Sequence, residues 1–258
     1  MPRQPEGPPP PPAVQKLRIR WAKRGRLRFT SHRDFQRAFE RAVRRAGLPV
    51  AYSAGFNPHP KISYANAAPT GTASEAEYVE VSVAERVDPE AVRLAVDTAL
   101  PPGLDVLEVV EAGPGSLADR LEASVWQITL PGVDLAAAQA AATAFLAAPE
   151  VLVERLTKDG VRSFDARGAV ARLAVGPGPE AGGDPCAILG VVVRHGTPTV
   201  RPDDVLSGLR RVAELVPPAP PIAVRLAQGP FDEQSGAVGD PLSVDRDLAG
   251  APGLARGA

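Results

Sequence analysis

Along residues 31–64 the spacing of apolar and polar positions predicts a helix followed by a stiff loop. Phe35, Phe39, Ala42, Val43 and Ala46 fall on one side of a helix turning about 100° per residue, and Arg33, Arg37, Arg41 and Arg44 fall in a narrow arc opposite. One face is built to pack; the other is a row of guanidinium groups. Ser31 offers an N-cap hydroxyl with the Asp34 carboxylate three places on, a variant of the capping box, and Gly47 is placed to end the helix. Residues 48–53 then predict a short strand, and Gly55-Phe56-Asn57-Pro58-His59-Pro60-Lys61 a loop. Each proline fixes its own φ and drives the residue before it, Asn57 or His59, toward extended backbone, so the loop has few conformers for its length.

Before this region Leu17-Arg18-Ile19-Arg20-Trp21-Ala22 alternates with period two, predicting a strand whose outer face carries Lys16, Arg18 and Arg20, with 27–29 continuing it or forming a hairpin arm. After it, 62–67 is extended, 77–83 alternates as a strand, Asp88-Pro89-Glu90 opens a helix to about Leu100, and 104–110 is a further strand. The order β-α-β-β-α-β is the split βαβ, ferredoxin-like pattern. It recurs beyond: a strand at 125–130, an Ala-rich helix at 134–147, a hairpin of 151–156 with 161–164, strand residues at 169–175 and 187–194, a helix at 202–216 and a closing strand at 222–226.

The expected class is therefore α+β, with two tandem ferredoxin-like (βαββαβ) units at 14–112 and 124–227, joined by a linker at 113–123; one larger mixed sheet is the alternative. Within the second unit, 176–185 holds seven Gly or Pro in ten positions and reads as a flexible insert. Residues 1–13, with seven prolines, and 228–258, rich in Gly, Pro, Asp and Ala, read as disordered tails.

Charge sharpens this picture. The chain carries a formal net charge of −1, yet residues 14–61 hold thirteen Lys and Arg against Asp34 and Glu40 alone, leaving the remainder strongly acidic. A basic lobe on an acidic body points to a polyanionic partner at that lobe, because summed charge concentrates phosphate ligands there. Tyr52, Phe56 and Tyr64 interleave with the basic residues, the pairing that single-stranded RNA recognition uses for stacking and phosphate contact. The expected nucleic-acid-binding residues are Arg33, Arg37, Arg41, Arg44, Phe56, Asn57, His59, Lys61 and Tyr64. Among the three histidines, His59 and His32 are the candidates for acid–base chemistry, since an unperturbed imidazole titrates near pH 6.5 and can both give and take a proton. Neither has a carboxylate at an orienting spacing, so binding is the expectation and metal-independent RNA processing by His59 or His32 the alternative. A third reading is a module whose arginine row docks an acidic protein. No metal-ligand spacing is present, Glu75 and Glu77 share one strand face without a histidine, and the single Cys186 precludes an internal disulfide and a three-cysteine iron–sulfur cradle. No apolar run approaches the roughly 18 residues of a membrane span and 1–13 lacks the apolar core of a signal peptide, so a cytoplasmic location without membrane contact is expected.

Three runs carry a family resemblance: Leu27-Arg28-Phe29-Thr30-Ser31-His32-Arg33-Asp34; then Tyr52-Ser53-Ala54-Gly55-Phe56-Asn57-Pro58-His59-Pro60-Lys61-Ile62-Ser63; then Gly71-Thr72-Ala73-Ser74-Glu75-Ala76-Glu77-Tyr78. They resemble the radical-SAM-linked bacterial family of unknown function, DUF2344, whose domain occurs alone or behind a radical S-adenosylmethionine domain, often encoded beside an E/G-type ribonuclease. The resemblance implies an accessory role in tRNA or rRNA processing or modification. It also implies a separately encoded radical-SAM enzyme as partner, which would hold the S-adenosylmethionine and the iron–sulfur cluster, with no cofactor expected on this chain. It assigns no catalytic residue.

Overall fold

Strand β1 (Gln15–Lys23) and helix α1 (His32–Arg45) begin a unit in which sequence periodicity maps directly onto packing. The computed structural model describes residues 10–158, 160–179 and 184–250. The chain divides into two units, one made of residues up to Asp119 together with those from Pro241 onward, the other running from Arg120 to Asp240. The class is α+β, and the strand pairings within each unit are antiparallel.

In the first unit, β1 and α1 are followed by β2 (Ile62–Ala65), β3 (Ala73–Val83), α2 (Pro89–Ala99) and β4 (Leu104–Glu111). The strands lie in the order β4-β1-β3-β2. Leu17, Ile19 and Trp21 of β1 and Val79, Val81 and Val83 of β3 face one way and meet Phe35, Phe39 and Val43 of α1 and Val92 and Val96 of α2 in the core. Trp21 stacks flat on Phe35, with ring centroids 3.4 Å apart. Helix α1 starts where its cap predicts: the Ser31 hydroxyl accepts the Asp34 amide at 3.2 Å and donates to its carboxylate at 2.7 Å. Gly47 ends it at φ +67°, a left-handed backbone that a side chain would strain.

Three local expectations for this unit are corrected. Residues 48–53 form no regular strand; Val50 bridges Val83 and Tyr52 bridges Pro60, so the segment folds back on its own loop. Pro49 and Pro60 each remove an amide donor there, which leaves no continuous ladder. Residues 27–29 belong to a 3-10 turn, Gly25–Phe29, which Gly25 starts at φ +54°.

The outer face of β1 is the third correction. Arg18 is fully buried: its guanidinium donates to both Asp245 carboxylate oxygens at 2.7 and 2.9 Å, to Glu80 at 3.0 Å and to the Gly115 carbonyl at 2.6 Å. What covers it is the segment expected to be a disordered tail. Strand β10 (Ile222–Gly229) runs past residue 228, Phe231 bridges Val238, and α5 (Ser243–Gly250) packs on β4 with Leu242 fully buried at its start. Arg246 adds an ion pair to Glu108 at 2.6 Å. Composition averaged over the tail hid one apolar anchor and one well-placed carboxylate. Residues 251–258 of that tail, 1–9 of the proline-rich stretch and 180–183 of the Gly/Pro insert lie outside the described residues.

The second unit comprises β5 (Ala123–Pro131), α3 (Leu135–Ala147), β6 (Leu152–Thr157), β7 (Gly160–Asp165), β8 (Val170–Pro177), β9 (Cys186–Arg194), α4 (Pro202–Ala213) and β10. Its main strands lie in the order β10-β5-β9-β8, while β6 and β7 pair as a separate hairpin. Asp134 caps α3 by accepting the Ala137 amide at 2.8 Å. Helix α4 lies close to α3 at Gly208, where a Cβ would come within 2.6 Å of the Phe145 ring. The expected linker at 113–123 is packed: Ala118–Arg120 makes a 3-10 turn between the buried Leu117 and Leu121. No helix among the described residues is long and apolar enough to cross a membrane.

Candidate nucleic-acid interface

Helix α1 buries Phe35, Phe39, Ala42 and Val43, and this leaves Arg33, Arg37, Arg41 and Arg44 exposed on the opposite face. Among the described residues none of these four side chains takes part in an ion pair. The reason lies in how the unit uses its acids: Glu80 meets Arg18, Glu75 and Asp105 meet Arg24, Glu111 meets Arg86, Glu90 meets Arg93 and Glu108 meets Arg246. The arginine row is left with its full charge facing solvent, where phosphate oxygens are its natural counter-ions. The preceding 3-10 turn lengthens the basic surface, with Arg26 exposed and the Arg28 guanidinium 4.5 Å from the centroid of the exposed Phe29 ring.

The proline loop is held by its own backbone. Ser53 and His59 exchange a pair of bonds: the Ser53 amide reaches the His59 carbonyl at 2.9 Å, and the His59 amide reaches the Ser53 hydroxyl at 3.0 Å. The Lys61 amide donates to the Ala51 carbonyl at 2.8 Å, closing the base. Phe56 is therefore presented at 63% exposure, together with exposed Asn57, His59 and Lys61. Between helix and loop lies a cavity of about 490 Å³ lined by Glu40, Val43 and Arg44 of α1 and by Tyr52, Pro58 and Pro60 of the loop segment. The two expected binding elements thus share one concave surface.

Tyr64 is half-buried. Its ring meets Phe35 and Phe39 edge-on at 6.0 and 6.2 Å, and its hydroxyl is buried with no hydrogen-bond partner among the described residues. Burial first, and the Glu40 carboxylate second, push its phenol well above the ordinary value. Its ring thus packs against the core beneath α1.

The histidines are placed apart in role. His32 is exposed at the start of α1, with its Nε2 3.1 Å from the Gln36 amide and its ring edge-on to Tyr64 at 5.4 Å. His59 projects from the loop, and among the described residues no carboxylate hydrogen-bonds to either imidazole. His195 sits in the second unit between the Leu121 carbonyl, 2.6 Å from Nδ1, and the Ser124 hydroxyl, 2.7 Å from Nε2. A carbonyl can only accept, so Nδ1 carries the proton and Ser124 donates to Nε2. Burial, the largest cause, lowers the His195 pKa, the Leu121 carbonyl opposes that, and Arg225 adds to the lowering.

Glu75 is engaged by Arg24, and Glu77 is buried with its carboxylate accepting the Ala68 amide at 3.0 Å. Cys186 is half-buried at the start of β9. Among the described residues no group of three or more His, Cys, Asp or Glu side chains is placed to hold a metal ion.

Sequence reasoning treated Glu40 only as a charge to subtract. Its spacing held the missing signal: at about 100° per residue Glu40 borders the arginine arc, roughly 20° beyond Arg33, so a cavity on that flank acquires an acceptor. The family described as an uncharacterized protein conserved in bacteria (DUF2344) matches residues 16–202. No curated protein matches the chain. Among solved structures, an unknown protein from Galdieria sulphuraria aligns over 78% of this chain and 92% of its own, at 16% identity and a TM-score of 0.24.

Proposed function

Since this chain belongs to DUF2344, a family of uncharacterized conserved bacterial proteins, we propose its function from its geometry: it binds single-stranded RNA through the α1 arginine row and the proline loop, as a non-catalytic partner in RNA processing or modification. The observation that carries this is that α1, whose arginine row makes no ion pair among the described residues, and the proline loop line one cavity, with Arg44 and Tyr52 on its walls. Phosphates fit the guanidinium row, and unstacked bases fit Phe56 and Tyr52. Single strands are favoured because an exposed ring needs a free base face, which a duplex hides.

In the same reading both units are ferredoxin-like, the second carrying the β6–β7 hairpin as an insertion. The two strand orders, β4-β1-β3-β2 and β10-β5-β9-β8, support it. The radical-SAM partner belongs to this proposal too: S-adenosylmethionine and the iron–sulfur cluster are assigned to a second, cytoplasmic polypeptide, and this chain delivers the RNA to it.

Ultraviolet crosslinking in cells, followed by sequencing of the attached RNA and mapping of the attached peptide, tests the reading. Crosslinks should fall on peptides containing Phe56 or Tyr52, and purified protein incubated with cellular RNA in EDTA should leave that RNA intact. Recovery of no RNA above an unrelated protein of similar charge would overturn the binding reading. Site-specific cuts lost in His59→Ala would replace it with the enzyme reading.

A further inference from the structure

We propose that the cavity between α1 and the proline loop takes one guanine base of the bound strand, and that Glu40 selects it. This rests on the RNA-binding reading and goes beyond it by naming which base is read. The cavity volume, about 490 Å³, lies inside the roughly 300–1,000 Å³ typical of sites for small ligands. Its walls suit a flat, apolar-faced ring: Val43 on the helix side, Pro58, Pro60 and the partly exposed Tyr52 on the loop side. At its polar edge stand one anion and one cation, Glu40 and Arg44.

The choice of base follows from Glu40. A carboxylate only accepts hydrogen bonds. Guanine alone presents two adjacent donors on its pairing edge, the ring N–H and the exocyclic amine, spaced for the two oxygens of one carboxylate. Cytosine offers an amine beside a ring acceptor. Adenine does the same, and uracil flanks its one N–H with two carbonyls, so each of these sets an acceptor against the carboxylate. Elsewhere in an arginine row an acid would weaken phosphate binding. Here Glu40 is exposed and, among the described residues, makes no ion pair, so the acceptor is open to a ligand. Arg44, one turn on along α1, is positioned for the phosphate attached to the seated nucleotide.

Fluorescence anisotropy with labelled seven-nucleotide RNAs tests this. The probes are oligouridine carrying one central guanosine, inosine or adenosine, and oligouridine alone, each bound to the full chain and to Glu40→Gln. The guanosine probe should bind about tenfold or more tighter than the adenosine probe, a discrimination in the range of one bidentate contact. Inosine, which keeps the ring N–H and lacks the amine, should fall between them. Glu40→Gln should bring all four probes to within about twofold of one another, while binding all of them at least as well as the parent binds oligouridine, because a negative charge has left the row. If the parent binds all four equally, the guanine proposal is wrong and the RNA-binding reading stands. If it prefers guanosine and Glu40→Gln keeps that preference, Glu40 is not the reader and the proposal is again overturned. If no probe binds even at low salt, both fail.

Discussion

Helices α1 and α3 hold the same place in their units, each following the first strand, yet one carries a charged outer face and the other does not. Helix α1 carries Arg33, Arg37, Arg41 and Arg44 without counter-ions among the described residues, whereas α3, Leu135–Ala147, contains no charged residue. In the second unit Arg155 pairs with Asp204, Arg194 pairs with Glu233 on the surface at 3.0 Å, and Arg225 lies 5.2 Å over the Trp126 ring, while Arg162, Arg172, Arg210 and Arg211 are exposed and make no ion pair among the described residues. One strand order thus carries two distributions of charge, an arginine row along α1 in one unit and scattered arginines in the other. Strand order does not distinguish the two units; four arginines on one face of a single helix do.

The comparison can be broken at its strongest point first. In the first unit, Arg18 resembles Arg155 of the second in pairing with a buried carboxylate, and removing its partner strands a buried charge. Asp245→Ala should destabilise that unit by about 3–5 kcal/mol. Urea unfolding followed by the fluorescence of Trp21 in a Trp126→Phe background reads that unit, and Trp126 in a Trp21→Phe background reads the other, since the chain has two tryptophans, one in each unit. Equal losses in both would show that the two are not separable in stability.

Next, reversing Arg37 and Arg41 to Glu should lower RNA affinity on the order of a hundredfold and flatten the slope of log affinity on log salt from roughly −3 for four phosphates toward zero. The thermal transition should stay in place, because both side chains are exposed. The same double reversal at Arg210 and Arg211 of α4 should leave binding unchanged; a comparable loss there would spread the interface over both units.

Smaller effects distinguish the helix from the loop. Phe56→Ala should cost about 1–3 kcal/mol of binding with the salt slope intact, and Lys61→Ala should reduce the slope by roughly one contact. The smallest expected effect is on the second unit. Its His195 has a lowered folded-state pKa, so between that value and the unfolded value near 6.5 the unfolded chain binds a proton that the native one refuses. Stability of the second unit should therefore fall as pH drops below about 6.5 and level off once the native imidazole titrates, while His195→Gln should remove that part of the pH dependence.

What was legible in the sequence follows the range of the interactions involved. The helix α1, its Ser31 cap and its arginine face are set within four residues of one another, and each is found where the spacing put it. The outer face of β1 was misread because period two separates two faces without saying what covers the second, and the cover for Arg18 comes from Asp245. Tyr64 carries a related ambiguity: an aromatic beside a basic loop looks the same in sequence whether its ring meets solvent or packs on Phe35 and Phe39. Glu40 was visible as a charge, but an acceptor at a cavity is recognisable only once Pro58 and Pro60 are seen across from it.

The burial of Arg18 also sets a schedule for synthesis. Its carboxylate partner lies 227 residues further along the chain. At the usual pace of about 5–20 residues per second, a ribosome needs on the order of ten to forty-five seconds to reach it. Once β4 has been made the sheet of the first unit can form, yet from Glu111 until Asp245 arrives it must keep its central arginine hydrated or borrowed by Glu80. The unit that leaves the tunnel first is therefore among the last to finish folding.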